Sequence, residues 1–382
     1  MARYKVIVSL LNVRETPPNE FTDKNILTTV CEGLILDLEE VTEVPNPALG
    51  KWYKDAHGQH YSEKGLQLLD NLPATGNFIS QSFAFKPTIN HWWITDYGID
   101  KIWQTTRGAG VKIAIIDTGL NFNHSNIKNK SNISYLSILN DSEKSNDCLD
   151  SNGHGSYCTS IIAAQGPDVF GVSPESDLLI IKATNDGDLS CAALAKAINK
   201  SIEMKADIIS ISYSFFKSDT GFNLLEDSVK KAVDNNILII ASTGNSGGNS
   251  KIYETYPASF ETCIGVGSSN RDKDLWLKTT LNDYIDILAP GSNIGVFGLD
   301  SLKTDSVSGT SFSTPYVASL CALILSSLNI KDTQSLIEQI RTKSTDKTKI
   351  KNQINNFYKN NKLKIDDLGI ISPLDTFNNL KP

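Results

Sequence analysis

Short apolar runs alternate with amphipathic stretches between residues 93 and 328. Five runs rich in Ile and Val have the pattern of strands buried on both faces, at residues 111–117, 178–183, 207–213, 237–243 and 263–268. Residues 191–206, after a Ser190 cap, and residues 223–236 have the pattern of intervening helices. A last apolar helix is expected from about residue 313 to 328. This alternation predicts right-handed crossovers, a mostly parallel central sheet and a three-layer α/β domain.

The chain before this domain has a different pattern. Residues 1–66 contain short strand-like runs separated by polar turns, which is typical of a small β-barrel. Residues 67–92 show no clear period and are interpreted as a linker. The sequence therefore predicts a barrel at 1–66, a linker at 67–92 and an α/β domain at 93–382.

The charge and composition of the chain argue against nucleic acid and membranes as partners. A net charge of -7 argues against nucleic acid, because phosphate binding needs a basic surface. Residues 341–364 are the exception, with eight basic residues and one acid; they are either a solvated surface or a patch for an acidic partner. No run reaches the roughly 18–20 apolar residues of a membrane helix, so no membrane association is expected.

The N-terminus and the cysteines indicate the compartment. The first residues offer a short apolar run without a small-residue cleavage site, so no secretory signal is predicted. The six cysteines, at positions 31, 148, 158, 191, 263 and 321, lack metal-binding spacing. Several lie in apolar surroundings, which favours free buried thiols over a disulfide framework. A cytoplasmic protein is expected.

Polar residues collect where the predicted parallel strands end. Asp117 ends the first run, and Ser212–Ser214 and Gly244–Asn245 end two others. Ligands of open parallel sheets bind at the carboxyl ends of the strands, so these residues are expected to converge.

Three short motifs carry candidate chemistry: IIDTG at 115–119, NGHGS at 152–156 and SGTSFSTP at 308–315. A serine hydroxyl becomes a nucleophile when a histidine accepts its proton and a buried carboxylate orients that histidine. Ser311, His154 and Asp117 fit these three roles, because Ser311 opens a helix and Asp117 ends a buried strand. Asn245, on a loop directly after a core strand, is a candidate donor to the oxyanion.

Each motif has another interpretation when it is taken alone. The tripeptide DTG also occurs in aspartic proteases, but Leu120 follows here and no second DTG or DSG is present. A serine at a helix start is commonly a cap, a histidine between glycines a metal ligand or a turn residue, and Asn245 a turn residue. The prediction of an enzyme depends on all four residues occurring together, in the order Asp, His, Ser.

That order and these motifs resemble the subtilisin-like serine protease family across residues 111–322. The matching segments are VKIAIIDTG, GHGSYCTSIIAA, ASTGN and GTSFSTP, with GVSPESDLLIIKA, DIISISYS, YPASF and ILAPGSNI between them. The resemblance implies a serine endopeptidase that needs no cofactor, with Asp117, His154 and Ser311 as its triad. The N-terminal segment resembles bacterial Src-homology-3-like domains through LNVR, Pro17, Gly33, Trp52, Gly58 and Tyr61.

The resemblance also implies a substrate edge at Ser212, Tyr213 and Ser214, with Gly244 beside it. Backbone pairing at such an edge binds an extended peptide, and Tyr213 is expected to line an outer subsite. Because the family usually has glycine where Ser214 stands, we expect a narrower specificity than that of a degradative subtilisin.

Three further features depart from the family or vary within it. The loop at 163–174 looks two residues shorter than the family's calcium-binding version and carries one oxygen ligand, Asp168, where calcium takes six to eight, so no metal is expected there. Cys158 follows His154 by one helical turn and is interpreted as a small core residue; some members with a cysteine here are inactivated by mercurials. Residues 67–92 could act as an inhibitory extension.

Two rival hypotheses remain open. The first is a catalytically silent peptide-binding protein that captures a chain at residues 212–214; it predicts a broken triad, and the sequence shows none. The second places the function in the barrel, as a tether to wall glycan or to a partner protein. The expected partners are therefore a peptide or protein substrate and an unknown ligand of the barrel.

Overall fold

The computed structural model describes the backbone of seven strands between residues 2 and 68, and then residues 91–166, 168–247, 254–300, 303–328, 333–357, 365 and 367–380. The chain divides into two compact units, Met1–Ala84 and Phe85–Pro382. Of the predicted linker at 67–92, only residues 67–68 and 91–92 are described, so its role and the predicted boundaries stay predictions. Each helix in these described ranges is too short or too polar to cross a bilayer.

The first unit contains an antiparallel sheet. Its strands are β1 (Ala2–Val6), β2 (Leu10–Arg14), β3 (Ile26–Cys31), β4 (Ile35–Glu40), β5 (Trp52–Lys54), β6 (His60–Ser62) and β7 (Leu66–Leu68). They pair in the order β3-β2-β6-β5-β4-β1-β7. The predicted short strands are thus present, and the closed barrel stays a prediction.

The second unit is built on a parallel sheet, as predicted. Its strands are β8 (Lys112–Asp117), β9 (Ile133–Ser137), β10 (Asp177–Lys182), β11 (Ile208–Ile211), β12 (Leu238–Ser242), β13 (Cys263–Ser269) and β14 (Ile287–Pro290). They lie in the order β14-β13-β12-β11-β8-β10-β9, and each neighbouring pair is parallel. Strands β9 and β10 lie on one side of β8, and β11 to β14 follow one another on its other side. The switch point between β8 and β11 is where such sheets bind ligands.

Helices cover both faces of this sheet. They are α1 (Trp92–Thr95), α2 (Ile99–Ile102), α3 (His154–Ala163), α4 (Cys191–Glu203), α5 (Phe222–Asp234), α6 (Thr310–Leu328), α7 (Thr333–Thr342), α8 (Lys347–Phe357) and α9 (Pro373–Leu380), with a short 3-10 helix at Ser145–Cys148. A hairpin of β15 (Ser292–Phe297) and β16 (Thr304–Ser308) lies outside the sheet.

The alternation of side chains along β8 shows the three layers directly. Ile113 and Ile115 enter the core that contains α3 and α6, whereas Ala114 and Ile116 enter the core that contains α4 and α5. Both faces of the strand are therefore buried, which explains the continuous apolar run in the sequence.

The starts of two helices are fixed by side-chain caps. Ser190 Oγ accepts a hydrogen bond from Ala193 N at 3.2 Å, as the sequence predicts for α4. Helix α6 begins three residues earlier than predicted, because Asn245 Oδ1, far away in sequence, accepts a hydrogen bond from Thr310 N at 2.9 Å. The cap thereby places Ser311 inside the first turn of α6.

Candidate active site

Asp117 and His154 form a hydrogen-bonded pair at the carboxyl edge of the sheet. Asp117 is the last residue of β8 and is almost completely buried, and His154 is the first residue of α3 and is partly exposed. His154 Nδ1 lies 2.8 Å from Asp117 Oδ1 and 3.0 Å from Oδ2. This geometry fixes the imidazole with Nδ1 as the donor, which leaves Nε2 to accept a proton.

Two glycines allow the start of α3 to approach the end of β8 this closely. A Cβ on Gly155 would lie 2.3 Å from the Gly119 carbonyl oxygen, and a Cβ on Gly119 would lie 2.3 Å from the Cys148 carbonyl oxygen. Gly119 also has a φ of 116°, which side chains disfavour. The glycines of the DTG and GHG motifs therefore bring the carboxylate and the imidazole within hydrogen-bond distance.

The environment of His154 favours its protonated form. Burial lowers the pKa of the imidazole, but the negative charge of Asp117 and the hydrogen bond to it outweigh burial, so that the pKa is raised well above its usual value. An imidazolium formed when His154 takes a proton is therefore stabilised here.

Ser311 is held next to this pair through its backbone. In an α-helix, each backbone carbonyl accepts a hydrogen bond from the N–H of the residue four positions later. For Ser311 that residue is Pro315, which has no N–H, so the Ser311 carbonyl lacks its helical donor. Ser212 Oγ donates to this carbonyl oxygen at 2.8 Å, and Cys158 Sγ lies 3.5 Å from it. Cys158 Sγ is also 3.9 Å from His154 Nδ1, so one buried thiol touches both residues.

Asn245 lies on the loop after β12 with its amide orientation fixed. Its Oδ1 accepts hydrogen bonds from Thr310 N and Thr310 Oγ1, each at 2.9 Å, so Nδ2 is the end that remains to donate. Nδ2 is near the residue before α6, since a Cβ on Gly309 would lie 3.5 Å from it. A donor N–H group thus lies beside the turn that carries Ser311.

The four expected substrate-contacting residues lie at the ends of two adjacent strands. Ser212, Tyr213 and Ser214 follow β11, and Gly244 follows β12. The Tyr213 ring centroid is 6.3 Å from that of His154, so Tyr213 lies directly beside the imidazole. Ser214 is exposed, and its Oγ donates to the Ser242 carbonyl oxygen at 3.1 Å.

Sequence reasoning did not identify Asp150, four residues before His154. This buried carboxylate accepts hydrogen bonds from Thr118 Oγ1 at 2.9 Å and from Ser156 Oγ at 2.7 Å. It therefore connects the residue after Asp117 with the first turn of α3. The only signal in the sequence was an acid at a turn before a helix, which is common in proteins.

Among the residues that the structure describes, one group of three side chains has atoms close enough to ligate a metal together: Asp117, His154 and Cys158, with ligand atoms within 4.8 Å of one another. His154 Nδ1 carries the proton that it donates to Asp117, so it has no free lone pair for a metal ion. The group is better suited to orienting the imidazole than to holding an ion.

The basic segment at 341–364 forms ion pairs with acids of the same unit where it is described. Arg341 Nε lies 2.7 Å from Asp286, Lys349 Nζ lies 2.8 Å from Asp274, and Lys347 Nζ lies 3.7 Å from Asp367. These pairs support the interpretation as a solvated surface over a patch for an acidic partner.

Known proteins similar to this chain are proteases. The model of the subtilase family matches residues 108–360. An intracellular serine protease of Paenibacillus polymyxa is 36% identical over 243 residues, covering 62% of this chain and 73% of that protein. The major intracellular serine protease of Bacillus subtilis (strain 168) is 34% identical over 234 residues, covering 59% and 72%. The solved structure of the prenylagaramide maturation protease PagA is similar with a TM-score of 0.61 and 25% identity, covering 74% of this chain and 98% of that chain.

Proposed function

The chain belongs to the subtilase family of serine proteases, and we propose that Asp117, His154 and Ser311 are its catalytic triad, with Asn245 as an oxyanion donor. The observation that carries the proposal is the buried Asp117 carboxylate 2.8 Å from His154 Nδ1, with the start of α6 and the Asn245 amide beside it. The matched family segment, residues 108–360, contains all four residues.

The proposed reaction hydrolyses a peptide bond in two steps. Ser311 Oγ attacks the carbonyl carbon while His154 Nε2 takes its proton, and the charge on the carbonyl oxygen is stabilised by Asn245 Nδ2 and the Ser311 N–H. The carbon–nitrogen bond then breaks, the leaving amine takes the proton from His154, and an acyl ester remains on Ser311. Water, deprotonated by His154, attacks the ester and releases the new carboxylate and the serine.

The substrate is proposed to bind as an extended peptide along residues 212–214. Ser214 stands beside the crevice that receives the side chain before the cut, which supports a restricted specificity. A flat cleavage profile across a peptide library would contradict that restriction.

Covalent labelling tests the triad. A fluorophosphonate probe should add its mass to the wild type and not to Ser311→Ala, because only an activated serine reacts with it. Ser308→Ala is a matched control, since Ser308 is an exposed serine three residues earlier, and this variant should label like the wild type. Labelling of Ser311→Ala, or of no form of the protein, would refute the proposed triad.

The segment before the catalytic unit is proposed to regulate access to Ser311. The chain would label weakly when intact and strongly after residues 1–90 are removed, a cut that keeps the buried Trp92 and Trp93. Equal labelling of both forms would remove the idea of an inhibitory extension.

The N-terminal unit is proposed to be a Src-homology-3-like barrel that tethers the protease. Its seven short antiparallel strands support this. Binding of the full chain to a partner protein should disappear in a chain that begins at residue 67. Unchanged binding would contradict a tethering role.

We also propose that the protein acts in the cytoplasm. Two relatives are named intracellular serine proteases, and this supports the proposal. Fractionation of cells that express the full chain would test this, and recovery in the medium would contradict it.

A further inference from the structure

The proposed roles of Ser311 and Asn245 determine where the side chain that precedes the cleaved bond lies. If Ser311 attacks the carbonyl carbon and Asn245 binds the oxygen, as proposed above, this side chain lies between the ends of β11 and β12. The two strands pair in register up to Ile211 and Ala241. Beyond that pair they leave a crevice bounded by residues 212–214 on one side and 242–244 on the other, at the carboxyl edge where such sheets bind ligands.

The Ser214 side chain crosses this crevice. Its hydroxyl donates to the Ser242 carbonyl oxygen at 3.1 Å, so a residue of one wall is hydrogen-bonded to the other wall. A Cβ added to Gly244 would lie only 3.4 Å from Ser214 Oγ and 3.2 Å from Thr280 Oγ1. The Gly244 Cα and the Ser214 hydroxyl are therefore less than about 5 Å apart.

That separation is too small for a substrate side chain to pass. A carbon atom keeps roughly 3.5–4.0 Å from each neighbouring heavy atom, so it would need about 7 Å between the two walls. A Cβ can remain above the crevice, but a longer side chain would have to displace the Ser214 hydroxyl from its acceptor.

Hydrogen bonds through residues 255 and 256 also connect the two segments that bound the crevice. Thr255 is buried, and its Oγ1 donates to the Thr243 carbonyl oxygen at 2.8 Å. The next residue, Tyr256, exchanges two backbone hydrogen bonds of 2.8 Å with Phe215, the residue that follows the other wall. Residues 255 and 256 thus connect the backbones of the two segments, so the crevice cannot be widened by separating its walls unless these hydrogen bonds break.

We infer that this protease cleaves after glycine, alanine or serine, and that Ser214 is the residue that excludes larger side chains. The inference rests on the proposed function and names its substrate class: extended peptides with a small residue immediately before the cleaved bond. Chains with Leu, Phe or Met at that position would bind along residues 212–214 but could not bring their carbonyl carbon to Ser311.

A peptide series with the full-length protein tests the inference. The peptides differ only in the residue before the cut, and kcat/KM is measured for each by mass spectrometry. The wild type should cleave the Gly, Ala and Ser peptides at least about 10-fold better than those with Leu, Phe or Met, the range that pocket fit supplies.

Two variants that shorten the Ser214 side chain stepwise test whether Ser214 excludes large substrate side chains. Ser214→Ala removes the hydroxyl alone and should raise kcat/KM for the Leu and Phe peptides in part, and Ser214→Gly should raise it by about 10-fold or more. Ser218→Gly is the matched control, because Ser218 is an exposed serine in the same segment, and its profile should equal that of the wild type. Each variant is first labelled with the fluorophosphonate probe to show that its site is folded.

The outcomes separate this inference from the proposed function. Two results would overturn the inference and leave the activated serine in place. In the first, Ser311 is labelled but the protein prefers large residues before the cut. In the second, Ser311 is labelled but the small-residue peptides are not cleaved. The same holds if Ser214→Gly keeps the wild-type profile. Absence of labelling in every form would overturn the proposed function, and the inference with it.

Discussion

Replacing Asp150 tests whether the two segments that carry Asp117 and His154 depend on one buried carboxylate. Asp150 is 5% exposed and accepts hydrogen bonds from one side chain of the Asp117 segment and from the start of α3. The donors are Thr118 Oγ1, Asn152 N, Gly153 N, Ser156 N and Ser156 Oγ, at 2.7–2.9 Å. Asp150→Asn keeps the shape of the side chain but turns one acceptor oxygen into a donor NH2 group.

The cost of this change follows from the hydrogen bonds it removes. In the better amide orientation, the NH2 group faces the two donors of Ser156, and each hydrogen bond to a charged group contributes about 1.5–3 kcal/mol. A loss of about 3–6 kcal/mol in the free energy of unfolding is therefore expected, which is a large part of the roughly 5–15 kcal/mol typical of folded domains. For a unit of this size the melting temperature should fall by roughly 5–10 °C.

The stability that the Asp150 carboxylate contributes depends on pH. Burial raises the pKa of Asp150, but the hydrogen bonds from Gly153, Ser156 and Asn152 outweigh it, and the net pKa is lowered. The unfolded chain binds the proton more tightly, so the carboxylate contributes its full stability above about pH 4, the ordinary value for aspartate. This contribution is lost as the pH falls through the lowered folded-state value.

Thermal unfolding measured by calorimetry at pH 7 and at steps below pH 4 provides the assay. It is made in the Ser311→Ala background to prevent self-digestion. Asp186→Asn is the control, because Asp186 also accepts turn hydrogen bonds, from Thr184 Oγ1 and Asp188 N, but is exposed, and its midpoint should not move. A melting temperature for Asp150→Asn within about 1 °C of the parent at pH 7 would refute this account. So would a difference in melting temperature between the two proteins that is as large below pH 4 as at pH 7.

Four further predictions concern residues of the proposed active site. Asn245→Ala should lower kcat by roughly 10²–10³ with little change in KM, and an effect on KM alone would count against an oxyanion role. The acid limb of kcat/KM should lie above pH 6.5, because Asp117 raises the pKa of His154 and the base must be neutral. Asp117→Asn should move this limb to lower pH and reduce kcat by roughly 10⁴, so an unmoved limb would contradict the pairing. Ser212→Ala should destabilise the protein by about 1–3 kcal/mol in urea unfolding, since it removes a hydrogen bond to the Ser311 carbonyl.

The central part of the sheet could be predicted because its strands are buried on both faces. The five predicted runs correspond to β8, β10, β11, β12 and β13, each with at most one residue that is not fully buried. The two strands that were not predicted are β9 and β14, which lie at the two edges of the sheet. In β9 only the last two residues are buried, and β14 has four residues and ends at Pro290, so neither has a long apolar run.

The positions of Asp117, His154, Ser311 and Asn245 could be expected from local pattern, because each stands at a strand end or a helix start. The contacts that hold these four residues in place could not be expected from the sequence. Ser212 meets the Ser311 carbonyl across 99 residues, and Asp150 meets Thr118 across 32. The direction of the Ser214 hydroxyl, which closes the crevice, likewise depends on a partner 28 residues away. Sequence spacing carries no information about such pairings until the strand order is known.

Cys158 is the small core residue that the sequence predicts, and it also contacts the proposed active site. It is a buried core residue, and burial raises the pKa of its thiol, so the reactive thiolate is disfavoured. It nevertheless touches His154 and the carbonyl oxygen that Pro315 leaves without a helical donor. A larger side chain in its place would push α3 away from α6, and an apolar one would leave that oxygen to Ser212 alone. Pro315, Ser212 and Cys158 therefore act together on the Ser311 carbonyl, and this arrangement holds Ser311 beside the imidazole.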